Sequence, residues 1–173
     1  MKNFKTLFLF LSVLFILAAC GGNAETLKEN DLAPNFTMED ANGMSYTLSD
    51  YRGKSPVVIY FYPKASTPGC TKQACGIRDE YEKFAENNIV VLGVSIDSKE
   101  SLKEFMKEYS LNFPLLSDHD KKVAESYDVL NNVGLASRIT FIIDKDGKIA
   151  KIIRDVDVDT HADEVFQIAT RLN

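Results

Sequence analysis

The chain is poor in the residues that most often carry chemistry: three cysteines, two histidines and five prolines in 173 residues. With His119 and His161 the only imidazoles, a Cys/His zinc site lacks a credible tetrad. His119 stands among Asp118, Asp120, Lys121 and Lys122, where a solvated helix start is expected. His161 follows Asp159-Thr160, another helix start, where capping or surface exposure is expected. Acidic pairs such as Glu39-Asp40 lack the spacing of a metal-binding loop. Positive charge is also short: 20 Lys and Arg against 25 Asp and Glu leave a net charge of −5. No basic stripe is available to meet phosphates, and nucleic acid is excluded as a partner. Internal repeats and low-complexity segments are missing too, so the chain reads as one globular domain behind a leader.

The long hydrophobic run is confined to the N-terminus. Lys2 and Lys5 precede an apolar stretch, residues 7–19, that is short for a membrane span and ends in small residues before Cys20. Residues 1–19 are read as a secretory signal. Leu17-Ala18-Ala19-Cys20 resembles a bacterial lipoprotein box, in which cleavage leaves Cys20 as a lipid-modified N-terminus; an ordinary signal peptide and a retained anchor are the alternatives. At about 0.8 kcal/mol per buried methylene, several acyl chains on Cys20 would hold the protein on an extracytoplasmic membrane surface. Residues 20–31, polar and small, are read as a flexible tether, and residues 32–173 as the folded domain.

Within that domain, residues 35–38 and 44–47 flank Asn42-Gly43 and predict an N-terminal hairpin. Residues 57–62, Val-Val-Ile-Tyr-Phe-Tyr, lack polar alternation and predict a central strand buried on both faces. Apolar residues at Ala74, Ile77, Tyr81, Phe84 and Ala85 predict a helix over 71–87. A strand over 89–96, a helix over 99–109, a short strand at 115–117 and a short helix over 119–127 follow. A hairpin of 139–143 with 148–153 and a helix over 160–172 close the chain. Alternation of strand and helix that ends in an antiparallel pair is an α/β pattern, and a thioredoxin-like fold, a central mixed sheet flanked by helices, is the expected architecture.

The richest segment lies between the first central strand and the helix after it: Pro63-Lys64-Ala65-Ser66-Thr67-Pro68-Gly69-Cys70, with Cys75 five residues on. Pro68 and Gly69 turn the chain and leave Cys70 at the helix entry. Unpaired backbone N–H groups and the positive end of the helix dipole favour S⁻ over SH there. Thr67, three residues earlier, is placed to aim its hydroxyl at the same spot; its alternative role is a helix cap. Pro63 is placed to fix the loop and shield the sulfur; its alternative role is strand termination. A structural bridge between Cys70 and Cys75 is the plain reading of the pair in an oxidising compartment. A loop that short restrains little chain entropy, which makes a poor staple and a better redox switch.

These residues resemble the peroxiredoxins. Tyr62-Pro63, Thr67-Pro68-Gly69-Cys70-Thr71 and Ala74-Cys75 are similar to the Q-type members, also called bacterioferritin comigratory proteins, and the resemblance runs from about Leu32 to the C-terminus. It implies a thioredoxin-like fold and reduction of hydroperoxides by Cys70, with no metal, haem or flavin cofactor. Arg138-Ile139-Thr140-Phe141, followed by an apolar pair and Asp144, resembles the peroxiredoxin segment that supplies the active-site arginine; Lys64 and Arg78 are nearer in sequence but match no motif. The resemblance also implies Cys75 as the resolving thiol and a thioredoxin-like dithiol protein as reductant. An internal resolving cysteine needs no partner subunit, and a monomer is expected. Two rivals remain at this point: a thiol-disulfide oxidoreductase acting on extracytoplasmic proteins, which would normally show Cys-x-x-Cys, and a non-enzymatic lipoprotein with a structural disulfide.

Overall fold

The computed structural model describes residues 26–173. The signal segment and Cys20 lie outside the described residues. The domain opens with a hairpin of β1 (Thr37–Glu39) and β2 (Ser45–Thr47), paired Met38 to Tyr46, with Gly43 at φ 83° in the turn. A short 3-10 helix, Leu48–Tyr51, leads to β3 (Val57–Phe61). Then come α1 (Pro68–Glu86), β4 (Val90–Ser95), α2 (Lys99–Glu108), β5 (Leu115–Ser117), α3 (Lys122–Ser126), β6 (Ile139–Ile143), β7 (Ile149–Ile153) and α4 (His161–Thr170).

The five-stranded sheet has the order β5-β4-β3-β6-β7. The β3-β4 and β4-β5 pairs are parallel, while β3-β6 and β6-β7 are antiparallel. This is the mixed sheet expected, with the uninterrupted apolar run at its centre. Every residue of β3 is buried. Because side chains alternate along a strand, Val58 and Tyr60 face one layer with Ile77 and Phe84 of α1, Leu102 and Phe105 of α2 and Val165 of α4. Val57, Ile59 and Phe61 face the other, with Phe36, Met38, Tyr127 and Phe141.

Three departures from the sequence expectations have local causes. The helix bearing Cys70 starts at Pro68 and not at Thr71, since proline has no N–H to leave unpaired in the first turn. The helix expected over 119–127 shrinks to Lys122–Ser126: Lys121 takes a left-handed φ of 64°, and the Asp118 carboxylate accepts the N–H groups of Val123 and Ala124. At the N-terminus, Asn30 N–H donates to Ile149 O and Ile149 N–H to Asp31 O, at 2.8 and 2.9 Å. The last residues of the stretch read as a tether are thus pinned to β7.

Candidate active site

Cys70 is the third residue of α1 and is 1% exposed, with Thr67 at the N-cap position and Pro68 opening the first turn. The N–H groups of Gly69 and Cys70 have no carbonyl four residues back within the helix, so the turn presents donors and positive dipole to the sulfur. The loop leading into it is tied down from the neighbouring strand. Ala65 N–H donates to Asp97 Oδ2 at 2.8 Å, and Ser95 Oγ donates to the same oxygen at 2.9 Å. Pro63, in that loop, is half-buried.

The cation comes from β6. Antiparallel pairing sets Phe61 against Ile139, so the residue before β6 lies beside the residue after β3, where the active loop begins. Arg138 Nη2 donates to Cys70 Sγ at 3.3 Å. Gly69 makes room for it: a Cβ there would stand 3.2 Å from Nη2. The two other candidate cations are occupied elsewhere or solvent-exposed. Arg78 binds Asp79 and the Tyr109 carbonyl, and the Lys64 side chain is exposed.

Thr67 is half-buried at the helix start, but its hydroxyl is used locally. It donates to Lys64 O at 2.9 Å and makes no side-chain cap bond to the helix. Its single hydrogen being spent there, what its oxygen offers the site is acceptor lone pairs. Cys75 lies on the same wound helix and is half-buried; both it and Cys70 are free thiols. On an intact helix, five residues separate Cα atoms by roughly 8.6 Å.

Three residues missed by the sequence reading support the site. Arg138 Nη1 donates to Gln73 Oε1, Gln73 Nε2 bonds His161 Nδ1 at 3.2 Å, and His161 Nε2 bonds Thr140 Oγ1 at 2.8 Å. The expected surface position of His161 is therefore corrected: it is 0% exposed, enclosed where α4 packs on α1 and β6. Burial, and next the charge of Arg138, push its imidazole down to about 4, so it is neutral at physiological pH. Gln73 carried a signal in the sequence, since three residues beyond Cys70 is the same helix face. Arg138 and Thr140 share a strand face for the analogous reason, two residues apart. His119 is exposed, as expected. A cleft of about 660 Å³ between the N-terminal hairpin and α3 is lined in part by His119 but by none of Cys70, Gln73, Arg138, Thr140 and His161.

The arrangement suits a nucleophilic thiolate: a sulfur with limited access, a fixed cation against it and helix-start donors beside it. The comparisons with known proteins agree. The chain matches the AhpC/TSA family over residues 30–152. It is 42% identical over 147 residues to peroxiredoxin Bcp of Escherichia coli K12, covering 81% of this chain and 94% of that protein. It is 43% identical over 142 residues to chloroplastic peroxiredoxin Q of Sedum lineare, covering 80% and 76%. Among solved structures, peroxidoxin BcpB of Mycobacterium tuberculosis superposes with a TM-score of 0.78 at 35% identity, covering 85% of this chain and 99% of that one. Peroxiredoxin Q of Xanthomonas campestris gives 0.73 at 32% identity, with 79% and 90% covered. The chain belongs to the AhpC/TSA family, as a thiol peroxidase homologous to the Bcp and Q-type peroxiredoxins.

Proposed function

We propose that the protein reduces hydrogen peroxide and organic hydroperoxides with Cys70 as the attacking thiolate, Cys75 as the resolving thiol and a thioredoxin-like dithiol protein as the final reductant. The observation that carries this reading is the 3.3 Å contact of Arg138 Nη2 with Cys70 Sγ at the start of α1. A Xanthomonas campestris bacterioferritin comigratory protein with the same fold is described as reducing alkyl peroxides.

In the first step the Cys70 sulfur attacks the terminal peroxide oxygen. The S–O bond forms and the O–O bond breaks, and the leaving alkoxide or hydroxide takes a proton to become alcohol or water. Arg138 and the free N–H groups of the helix start face the charge as it moves onto the leaving oxygen. The Thr67 oxygen accepts a hydrogen bond from the peroxide O–H, and Pro63 screens the sulfur from water. In the second step Cys75 attacks the Cys70 sulfenic acid: S–S forms, S–O breaks, and hydroxide leaves as water. Disulfide geometry tolerates no more than about 7 Å between Cα atoms, so the first turns of α1 unwind in each cycle. The dithiol reductant then returns both thiols.

We further assign residues 1–19 as a lipoprotein signal and Cys20 as the lipidated residue, which places the enzyme outside the cytoplasm on a bacterial membrane surface, acting as a monomer. The support is the Leu-Ala-Ala-Cys sequence and the polar residues after it. The test of the chemistry is peroxide consumption by Cys70→Ser and Cys75→Ser. Cys70→Ser consumes none, and Cys75→Ser consumes one equivalent per protein and then stalls or over-oxidises; stoichiometric consumption by Cys70→Ser would overturn the assignment. Metabolic labelling with a fatty acid, lost in Cys20→Ala, checks the anchor.

A further inference from the structure

Arg138 holds the sulfur, but Arg138 is itself held. A guanidinium has donors only, so Gln73 Oε1 accepts from it and Gln73 Nε2 is left to donate to His161 Nδ1. Nδ1 therefore carries no hydrogen. The neutral ring carries its proton on Nε2 and donates to Thr140 Oγ1. The amide orientation and the tautomer are thus assigned from the charge at the head of the chain. Three donors in series run from Arg138 to Thr140, with Gln73, His161 and Thr140 all buried. Bonds aligned in this way polarise one another and leave the group at the head little freedom.

We propose that His161 is a positioning residue that, through Gln73, sets Arg138 on the Cys70 sulfur and latches the start of α1 closed. The latching role rests on the reading of Cys75 as the resolving cysteine. Gln73 stands between the two cysteines, so drawing Cys70 and Cys75 together dismantles the turn that carries it. Both Gln73 bonds break, Arg138 is released and His161 Nδ1 loses its donor. The same contact that supports the attack on peroxide opposes disulfide formation. Weakening it moves the two steps in opposite directions.

The test separates the steps. In a Cys75→Ser background, where resolution is absent, sulfenic acid formation is followed in a single turnover for His161→Phe and His161→Asn. Phe fills the ring space without an acceptor, whereas Asn returns an acceptor near the position of Nδ1. The expected result is a rate lower by about 10- to 100-fold for Phe, the range for a reacting group displaced by an ångström or less, and recovery of most of that loss by Asn. With Cys75 present, Phe is expected to speed disulfide formation from the sulfenic acid by about 2- to 10-fold, the worth of one ordinary hydrogen bond. Any other pairing of signs, or failure of Asn to recover the first step, overturns the proposal.

Should His161→Phe not fold, the unmutated protein decides. Ring ¹⁵N shifts of His161 are expected to report the Nε2–H tautomer in the reduced state and to change when the disulfide forms. The other tautomer, or identical shifts in both states, overturns the proposal. Failure of the underlying reading looks different: peroxide then yields no Cys70–Cys75 disulfide by mass mapping, which removes the latch, while the sulfenic acid measurement still decides the positioning role.

Discussion

The polar contacts that reach Cys70 gather on residues 68–75 of α1, whereas residues 76–86 are held mainly by apolar burial, with Arg78 donating to the Tyr109 carbonyl beside it. In the first half Arg138 binds Cys70 and Gln73, Gln73 binds His161, and Lys72 pairs with Asp159 ahead of α4. In the second half Ile77 and Phe84 are fully buried, Phe84 meets Phe166 edge-on at 5.4 Å between ring centroids, and Tyr81 packs on Phe113 at 5.7 Å. Polar contacts depend on the partner's charge and geometry, so chemistry at Cys70 can undo them. Apolar contacts are indifferent to the redox state of a sulfur six or more residues away. In the proposed cycle the helix melts at this end while the other keeps it in register with the sheet.

The largest stability effect belongs to the apolar half. Phe84→Ala removes a ring from a site with no exposure, and a loss of about 3–5 kcal/mol is expected in a urea titration. Below its unfolding transition this variant should form sulfenic acid at a rate close to that of the parent. A rate collapse with the fold intact would mean that the two halves are not separable.

The polar half has the opposite signature. Arg138→Met is expected to slow the peroxide step by about 100- to 1,000-fold, the cost of removing one donor to a developing oxyanion, with a small effect on the urea midpoint. Stopped-flow mixing with hydrogen peroxide measures the rate. An unchanged rate would show that the cation facing Cys70 in the structure is not the one used.

A smaller effect follows from pH. The His161 imidazole lies near 4 when folded, against 6.5 for an unperturbed histidine. Between these values the unfolded chain binds a proton that the native state refuses. The contribution is complete above pH 6.5, falls progressively as pH drops from 6.5, and is gone below about 4, a total loss on the order of 3 kcal/mol. The charged group that faces the ring is Arg138, and the Tyr60 ring packs edge-on against it at 6.0 Å. Urea midpoints at pH 4 to 7 should slope downward toward acid, less steeply in His161→Asn. Equal slopes would place His161 in contact with water.

What the sequence made legible divides along similar lines. β3 and β6 fall at, or within one residue of, the expected positions because long, fully buried runs bounded by turn signals specify strands locally. Arg138 was legible through the segment around it, and strand register then explains why it arrives at Cys70. His161 was not legible: a polar residue after Asp159-Thr160 looks solvated until α4 is known to pack its first turn onto α1 and β6. Burial of that kind depends on residues distant in sequence. Thr67 was half legible, placed correctly at the helix start but with its hydrogen committed to Lys64 O.

The most direct measurement is amide hydrogen exchange of the reduced protein against its Cys70–Cys75 disulfide form, resolved along α1. Exchange is predicted to rise over residues 67–78 on oxidation, the amides of 76–78 losing their carbonyl acceptors at 72–74, while residues 79–86, β3 and β6 stay protected. Equal exchange in both states, or loss of protection along the whole helix, would contradict a helix that melts at one end only.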